Sequence, residues 1–177
     1  MTTPDFILKL RRSIGHDLLW LSGVSAYVED GRGRLLLGRR SDSGQWAMVC
    51  GINEPGEQPA DTAAREVKEE TGVDVLVTDL VAVTSSTEPV VYDNGDQTMF
   101  MDHLFICRPD PYGNQDPFVN DDESLSVGWF QPKELPQPLA WSTVEQIARI
   151  HRYRERSEDG DNHALFMFEG IEGPAVS

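Results

Sequence analysis

The sequence predicts a single mixed α/β domain, and three observations support that prediction. Its 177 residues suffice for one hydrophobic core and are too few for two ordinary domains. Apolar residues make up 39% and charged residues 25%, which is typical of a folded globular protein. Segments rich in β-forming residues are interspersed with segments of helical periodicity, as the mixed α/β class requires.

The N-terminal third is predicted to contain one helix and three strands. An amphipathic helix over residues 4–14 is indicated by four apolar residues at helical spacing, Phe6, Ile7, Leu10 and Ile14. The next two runs, LLWLSGVSAYVED and GRLLLGRR, have strand composition. The intervening DGRG, residues 30–33, predicts that they pair as a β-hairpin. A further short strand is expected in GQWAMVCGI.

A second helix is predicted in the middle of the chain. Pro59 suits its first turn, and Gly72 suits the position just past its end. Its buried face is predicted from apolar and small residues at helical spacing, namely Ala60, Ala63, Ala64, Val67 and Thr71. At about 100° per residue, three acidic residues fall together on one flank of this helix, Glu66, Glu69 and Glu70.

The C-terminal half alternates in the same way. Strands are predicted in VDVLVTDLVAVTSST, QTMFMDHLFICRP and LSVGWF, with a turn at Asn94-Gly95 and a loop in PDPYGNQDPFVNDDE. A helix follows in WSTVEQIARIHRYRE, capped by Ser142 or Thr143. Its predicted buried stripe consists of Val144, Ile147, Ala148 and His151. A polar RSEDGDN segment then leads to the apolar run ALFMF.

The charge of the chain limits the partners that it can bind. The net charge of −15 and the pI near 4.5 predict repulsion of phosphate backbones, so DNA and RNA polymers are not expected as ligands. A small anionic substrate needs a bound cation or a local basic patch. No apolar stretch approaches the length of a membrane span, and the N-terminal residues lack a signal-peptide core. With two cysteines, the prediction is a reduced cytoplasmic protein.

The acidic flank of the second helix predicts a metal site. Glu66 and Glu70 lie one turn apart, and such a pair costs an exposed helix roughly 0.2–0.5 kcal/mol. A solvated acidic face is the alternative, but no lysine is interleaved on this flank. Converging carboxylates suit hard divalent cations such as Mg²⁺ or Mn²⁺, which would remove the repulsion.

Residues 51–73, GINEPGEQPADTAAREVKEETGV, resemble a known family motif. They match the Nudix box, G-x5-E-x7-R-E-U-x-E-E-x-G-U with U apolar, at every defined position. The matching residues are Gly51, Glu57, Arg65, Glu66, Val67, Glu69, Glu70, Gly72 and Val73. Looser similarity extends over roughly residues 20–150, through GRLLLGRR, GQW, VGWF and ELP. The sequence therefore resembles the Nudix hydrolases.

The resemblance implies a fold and a chemistry. The implied fold is an α/β/α sandwich with a mixed central sheet, in a single domain over residues 1–177. Its core spans about residues 20–155, preceded by the helix over 4–14 and followed by a tail over 156–177. The implied reaction is cleavage by water of a nucleoside diphosphate linked to another moiety, with Mg²⁺ or Mn²⁺ as cofactor.

Metal ligands and catalytic residues follow from positions in the motif. Glu66, Glu69, Glu70 and the carbonyl of Gly51 are expected to bind metal, and Glu66 is the first choice among them for the general base. The same resemblance predicts an acid in the loop before the last core strand, where Glu123 is the best candidate. Asp121 and Asp122 are the alternatives, and simple solvation of these three acids is equally open.

Four further residues complete the predicted site. Glu57 is expected to be an additional or supporting ligand, and Arg65 to orient a carboxylate such as Glu57 or Glu69 with its guanidinium group. Arg40, beside Arg39, and Trp46 could contact phosphate and base, although a surface charge and a core residue explain them equally well. Nudix hydrolases often enter the box through Pro-Gly-Gly, whereas this chain has VCG there. Cys50 is interpreted as a buried structural thiol.

The substrate prediction uses a proline beyond the box. Nudix hydrolases of ADP-ribose resemble one another in having a proline about sixteen residues past it, and Pro89 stands there. ADP-ribose or a nucleotide sugar is therefore placed slightly ahead of nucleoside triphosphates, while Tyr92 could instead stack on a base. A non-catalytic nucleotide-sensing module is a further alternative, since it would share the fold. A diphosphate isomerase is ranked low because such enzymes depart from this box.

A homodimer is also predicted. The helix over 4–14 lies outside the minimal Nudix core, and ALFMF follows a polar segment. Small domains seldom leave such apolar surfaces exposed, so one or both segments are expected to pair two copies of the chain. Packing of these segments onto their own chain is the alternative.

Overall fold

A computed structural model describes residues 3–168 and 171–173, and these ranges contain three helices and ten strands. The helices are α1 (Asp5–Ile14), α2 (Pro59–Thr71) and α3 (Trp141–Glu158). The strands are β1 (Leu19–Val28), β2 (Leu35–Arg40), β3 (Trp46–Ala47), β4 (Val49–Ile52), β5 (Val75–Ser85), β6 (Val90–Val91), β7 (Gln97–Pro109), β8 (Ser124–Phe130), β9 (Leu165–Phe168) and β10 (Ile171–Gly173). No helix within these ranges has the length and hydrophobicity to cross a membrane.

The strands form two sheets. The larger sheet has the order β10-β9-β5-β7-β1-β4, with β6 added beside β7, and the smaller sheet has the order β3-β2-β8. The larger sheet is mixed, because β1 runs parallel to β7 and antiparallel to β4. The predicted mixed α/β class with a mixed central sheet and an N-terminal helix is therefore confirmed.

Side-chain alternation along β1 and β7 divides the core between two helices. Val24, Ala26 and Val28 of β1 pack in one cluster with Ala63 and Val67 of α2. The intervening Tyr27 packs in a second cluster that contains Ile150 and Tyr153 of α3. Because successive strand residues point to opposite faces, every second residue of β1 and β7 lies on the α3 side. This alternation determines which side chains of β1 and β7 face α2 and which face α3.

The predicted hairpin between β1 and β2 is wrong. The turn forms, since the amide of Gly33 donates to the carbonyl of Asp30 at 2.9 Å, and Glu29 bridges Leu35. Beyond that bridge the strands separate, and β2 pairs with β3 and β8 in the smaller sheet. The reason is that both edges of β1 are already paired, one with β4 and the other with β7.

Helix α2 has the predicted bounds, whereas the predicted cap of α3 is wrong and only Ile147 of its predicted buried stripe packs on the core. Gly72 follows α2 with φ 72°, the left-handed conformation that glycine adopts without strain. Helix α3 begins after Ala140, with no side-chain cap. Its buried residues are Thr143, Gln146, Ile150 and Tyr153, while Val144 is 42% exposed. The polar pair turns inward because Thr143 accepts a hydrogen bond from the amide of Met48 and Gln146 binds two strand side chains.

Both segments that motivated the homodimer prediction contact their own chain. Ile7 of α1 is buried against Leu21 and Ile52. Strand β9, within the apolar run of the tail, extends the larger sheet by pairing with β5, where Leu165 lies opposite Ala82. These contacts match the alternative in which the segments pack onto their own chain.

Candidate active site

The acidic flank of α2 faces the end of β4, and Gly51 permits the contact. A Cβ atom at Gly51 would lie 2.2 Å from Cγ of Glu66, which is closer than real side chains approach. Glycine is therefore required at this position by the packing of Glu66 on the strand. The side chain of Glu66 is 13% exposed, whereas that of Glu69, three residues further along the helix, is 55% exposed.

Arg65 joins three carboxylates. Its Nε and Nη2 atoms donate to both oxygens of Glu57 at 2.8 and 3.0 Å. Its Nη1 atom donates to Glu66 at 3.0 Å and to Glu69 at 2.8 Å. The guanidinium group thus has the bidentate geometry that suits a carboxylate, with further contacts to two box glutamates. Such contacts restrict the rotamers of all three acidic side chains.

Glu57 is held from two sides in the loop before α2. In addition to Arg65, the hydroxyl of Thr62 donates to Glu57 Oε2 at 2.7 Å. The hydrogen bond from Arg65 lowers the pKa of Glu57 to about 2, so this carboxylate is ionised at neutral pH. The amide of Asn53 contacts Thr62 at 2.7 Å and continues the network toward β1 through Ser22.

Glu66 and Glu70 have the opposite electrostatic environment. Burial raises the pKa of Glu66 to about 7, although Arg65 opposes the shift. Burial, and then the nearby charges of Glu123 and Glu66, raise the pKa of Glu70 to about 8. These shifts arise because negative charge accumulates in a partly desolvated place with little compensating positive charge. A bound cation would reverse both shifts.

The loop before β8 brings further acids to the same place. Asn120 attaches this loop to α2, since its side-chain amide donates to the carbonyl of Lys68 at 3.2 Å. Asp121 and Glu123 then line a cleft of about 410 Å³ together with α2 and the N-terminal segment. We call this the acidic cleft, and its lining includes Pro4, Glu54, Arg65, Glu66, Glu69 and Asn120. Glu70 and Glu123 share an adjoining small pocket with Arg40.

The acidic residues carry the oxygen ligands that a hard cation prefers, but these oxygens do not converge on one point in this structure. Among the described residues, no three His, Cys, Asp or Glu side chains are arranged to hold a metal ion as they stand. Arg65 occupies oxygens of Glu66 and Glu69. Carboxylates are the ligands that Mg²⁺ and Mn²⁺ prefer, so the set of ligands fits these ions in kind. Binding would require side-chain rotations of Glu69, which is the most exposed of the group.

The predicted substrate contacts are distributed unevenly. Arg40 pairs with Asp42 and lines a groove of about 920 Å³ together with Tyr92 and Trp141; we call this the outer groove. Trp46 instead packs edge-to-face on Phe130, with ring centroids 4.9 Å apart, and is not among the described residues that line the groove.

Three other predicted residues lie near the outer groove. Arg39 donates to the carbonyl of Gly44 in the turn that follows β2. Pro89 is exposed beside the groove, where its neighbour Val90 belongs to the lining. Cys50 is half-buried and lines the outer groove, so the prediction of a fully buried thiol is wrong. Its Sγ atom lies 3.4 Å from the hydroxyl of Ser25, and burial raises the pKa of the thiol to about 12.

One cavity was not predicted from the sequence. It has a volume of about 400 Å³, and its lining includes Ser25, Gly51, Phe100, Asp102 and Gln146; we call it the inner cavity. Gly51 borders it on one side and contacts Glu66 on the other, so the inner cavity adjoins the acidic cleft. The available signal was Asp102, which together with His103 interrupts the apolar segment MFMDHLF and argues for a polar partner inside the fold.

Comparison with known proteins identifies the family. A family model described as NUDIX domain matches residues 20–150. A MutT-like protein of Streptomyces ambofaciens is 34% identical over 117 residues, which cover 66% of this chain and 68% of that protein. The 8-oxo-dGDP phosphatase NUDT18 of Mus musculus is 29% identical over 147 residues, or 83% of this chain. The match spans only 42% of the mouse protein.

Solved structures agree on the fold. A UDP-X diphosphatase superimposes with a TM-score of 0.63 at 18% sequence identity, over 95% of this chain and 76% of the other. At this identity the likeness shows the fold alone. The family model nevertheless covers most of the chain and includes the complete 51–73 motif. The chain therefore belongs to the Nudix hydrolase family.

Proposed function

We propose that the protein hydrolyses a diphosphate bond in a nucleoside diphosphate linked to another moiety, with a divalent cation in the acidic cleft. The observation that carries this proposal is the charge around α2. Seven carboxylates lie there, those of Glu54, Glu57, Glu66, Glu69, Glu70, Asp121 and Glu123, against the two guanidinium groups of Arg65 and Arg40. Arg40 is already paired with an eighth carboxylate, that of Asp42. An anionic substrate would be repelled unless cations compensate this excess.

The ligands of the cation are proposed from their positions. Glu66, Glu69, Glu70 and Glu123 would bind Mg²⁺ or Mn²⁺, together with the carbonyl of Gly51. When bound, such an ion neutralises diphosphate charge and lowers the pKa of a coordinated water. Arg65 holds Glu57, Glu66 and Glu69 in position through the contacts described above. Arg65 and Glu57 therefore serve as positioning residues.

Glu66 is our first choice for the general base. It is mostly shielded from solvent and lies beside Gly51, next to the place where the cation and its coordinated water are proposed to bind. In the proposed reaction Glu66 accepts a proton from the attacking water. The water oxygen forms a new bond to phosphorus, and the bridging P–O bond breaks to release two phosphorylated products.

The space around the cleft supports a substrate with groups on both sides of its diphosphate. The inner cavity and the outer groove both reach Cys50 and Phe100, and each is large enough for a sugar or a base. ADP-ribose or another nucleotide sugar would use both spaces. The position of Pro89 beside the groove favours the same substrate class.

A nucleotide without a second moiety is the alternative substrate. It is favoured by the mouse relative, which is named as a phosphatase of 8-oxo-dGDP. Tyr92 and Trp141 line the outer groove, and Trp141 is 73% exposed, so aromatic surface is available for stacking on a base. A nucleoside triphosphate has no second moiety beyond its phosphates, so in this alternative no part of the substrate would occupy the inner cavity.

The test is a comparison of kcat/KM for ADP-ribose, UDP-sugars and a set of standard and oxidised nucleoside di- and triphosphates, with Mg²⁺ and with chelator. We expect hydrolysis only with the metal. A preference of about tenfold or more for any nucleotide without a second moiety, equal to about 1.4 kcal/mol, would reject the nucleotide-sugar proposal. Binding of these compounds without hydrolysis would instead indicate a nucleotide-sensing module.

The homodimer and the cytoplasmic location are kept as predictions. The contacts of α1 and β9 remove part of the reason for the dimer, but Leu8 and Leu10 of α1 stay 45% and 42% exposed. Light scattering at micromolar protein concentration tests the dimer, and a monomer there would end that prediction.

A further inference from the structure

The loop before β8 is attached to the last turn of α2. The last four carbonyl groups of a helix have no partner within it, so they accept hydrogen bonds from other groups. In α2, three of these four accept from this loop. The amide of Phe118 donates to the carbonyl of Thr71 at 2.9 Å, and the amide of Asn120 donates to that of Glu70 at 3.4 Å. The side chain of Asn120 donates to the carbonyl of Lys68 at 3.2 Å.

The attached loop places an acid next to the acids of the helix. Glu123 follows Asn120 by three residues, and it lines the same small pocket as Glu70. On its other side the backbone is fixed by Ser41, whose amide donates to the carbonyl of Glu123 at 2.8 Å. The position of Glu123 therefore depends on one attachment to α2 and one to the turn that follows β2.

The attachment to α2 acts against charge repulsion. Before a cation binds, repulsion between Glu70 and Glu123 favours separation of the loop from the helix. The hydrogen bonds of Phe118 and Asn120 oppose that separation, and Asn120, unlike Phe118, is among the described residues that line the acidic cleft. A cation that binds between helix and loop then meets both carboxylates already in place, so no free energy is needed to close the loop.

We propose that Asn120 is a positioning residue that holds the carboxylate of Glu123 beside Glu70, so that one cation can bind both. In this role Asn120 contacts neither the cation nor the substrate. The inference rests on the proposed function for the identity of the ligand. It extends that function by assigning a residue that determines how tightly the metal is held.

Titration with Mn²⁺ alone tests this role without catalysis. Free Mn²⁺ is measured by electron paramagnetic resonance as the ion is added to the wild type, Asn120→Ala, Glu123→Gln, the double variant and Glu70→Gln. Asn120 is exposed, so its truncation leaves no buried cavity. Asn114→Ala is the matched control, because the Asn114 side chain also joins this loop to the end of α2, donating to the carbonyl of Gly72 at 2.9 Å. Asn114 is not among the described residues that line the acidic cleft.

We expect Asn120→Ala to weaken Mn²⁺ binding by about tenfold, as is typical when a residue that orients a metal ligand is removed. In the Glu123→Gln background the same change should have no further effect, because the carboxylate that Asn120 positions is then absent. Asn114→Ala should lower the midpoint of urea unfolding and leave Mn²⁺ binding as in the wild type. Asn120→Ser, whose hydroxyl is shorter than the amide, replaces Asn120→Ala if that variant does not fold.

Three results would overturn the proposal. Wild-type Mn²⁺ affinity in Asn120→Ala or in Glu123→Gln would show that the side chain, or the ligand that it positions, is not needed. An equal loss in Asn120→Ala and Asn114→Ala would assign the effect to the general stability of the loop. An undiminished loss in the Glu123→Gln background would mean that Asn120 does not act through Glu123. Failure of the proposed function is distinguished by Glu70→Gln: if it leaves Mn²⁺ binding unchanged, the cation binds outside the acidic cleft and both proposals are wrong.

Discussion

The acidic cleft and the inner cavity lie on opposite sides of Gly51, and they differ in how the chain builds them. Most of the cleft comes from residues 51–73, with further contributions from the loop before β8 and from Pro4. The cavity instead combines Ser25, Asp102 and Gln146, which are far apart in the sequence. The cleft has more negative charge than its arginines compensate, while the lining of the cavity contains hydrogen-bonded polar side chains and the guanidinium group of Arg149. The proposed reaction chemistry is therefore encoded locally, whereas the space beside it is encoded by the fold.

Among the changes that separate the two regions, replacement of Glu70 in the acidic cleft should have the largest effect on turnover. Glu70→Gln keeps the shape of the side chain but removes a charge that would bind the cation. We expect turnover to fall by about a hundredfold or more, with the fold retained. Steady-state kinetics over a range of Mg²⁺ concentrations, beside the exposed control Glu134→Gln, measures it. Turnover at the wild-type rate would remove Glu70 from the metal site.

Arg65→Lys should be the next most damaging change. Lysine keeps the positive charge but cannot reach Glu57, Glu66 and Glu69 together, because it lacks the planar fork. We expect a loss of about tenfold to a hundredfold in kcat/KM and a weaker response to Mg²⁺. If Arg65→Lys matched the wild type in both quantities, charge alone would account for Arg65.

Gly51→Ala tests the close contact between Gly51 and Glu66, which separates the acidic cleft from the inner cavity. The new methyl group would meet Cγ of Glu66, which cannot move aside as easily as the end of the side chain. We expect destabilisation by about 1–3 kcal/mol in denaturant unfolding, together with reduced activity. Gly31→Ala is the matched control, because nothing lies within 4 Å of a Cβ atom there. Equal stability of the two variants would contradict the tight contact.

The smallest predicted effect concerns the pH dependence of the metal-free protein. In the folded state the pKa of Glu66 rises to about 7 and that of Glu70 to about 8, from 4.5. Between pH 4.5 and 8 the folded protein therefore binds more protons than the unfolded chain, so these groups reduce stability as the pH rises.

Glu70→Gln should then raise the Tm relative to the wild type more at pH 8 than at pH 5, at about 2–4 °C for each kcal/mol. Added Mg²⁺ should remove this advantage, because the wild-type carboxylate then has its counter-ion. Thermal unfolding in chelator and in Mg²⁺ at both pH values measures the difference. The same Tm difference at pH 5 and pH 8 would show that Glu70 has an ordinary pKa.

The sequence by itself determined the mixed α/β class, the bounds of α2 and the family. Each of these depends on local information: periodicity, a proline at one end of the helix, a glycine at the other, and a motif within 23 consecutive residues. The clustering of Glu66, Glu69 and Glu70 on one flank follows directly from helical geometry. A local pattern of this kind needs no knowledge of which segments meet in space.

Only the tertiary structure decided the strand partners, the buried face of α3 and the inner cavity. The hairpin prediction was wrong because β4 and β7 pair with both edges of β1, which no local signal reports. Three of the four residues in the predicted stripe of α3 were wrong because hydrophobic periodicity assumes that polar residues face water. Gln146 faces inward instead, since Ser25 and Asp102, more than forty residues away in the chain, provide the hydrogen bonds that make its burial possible.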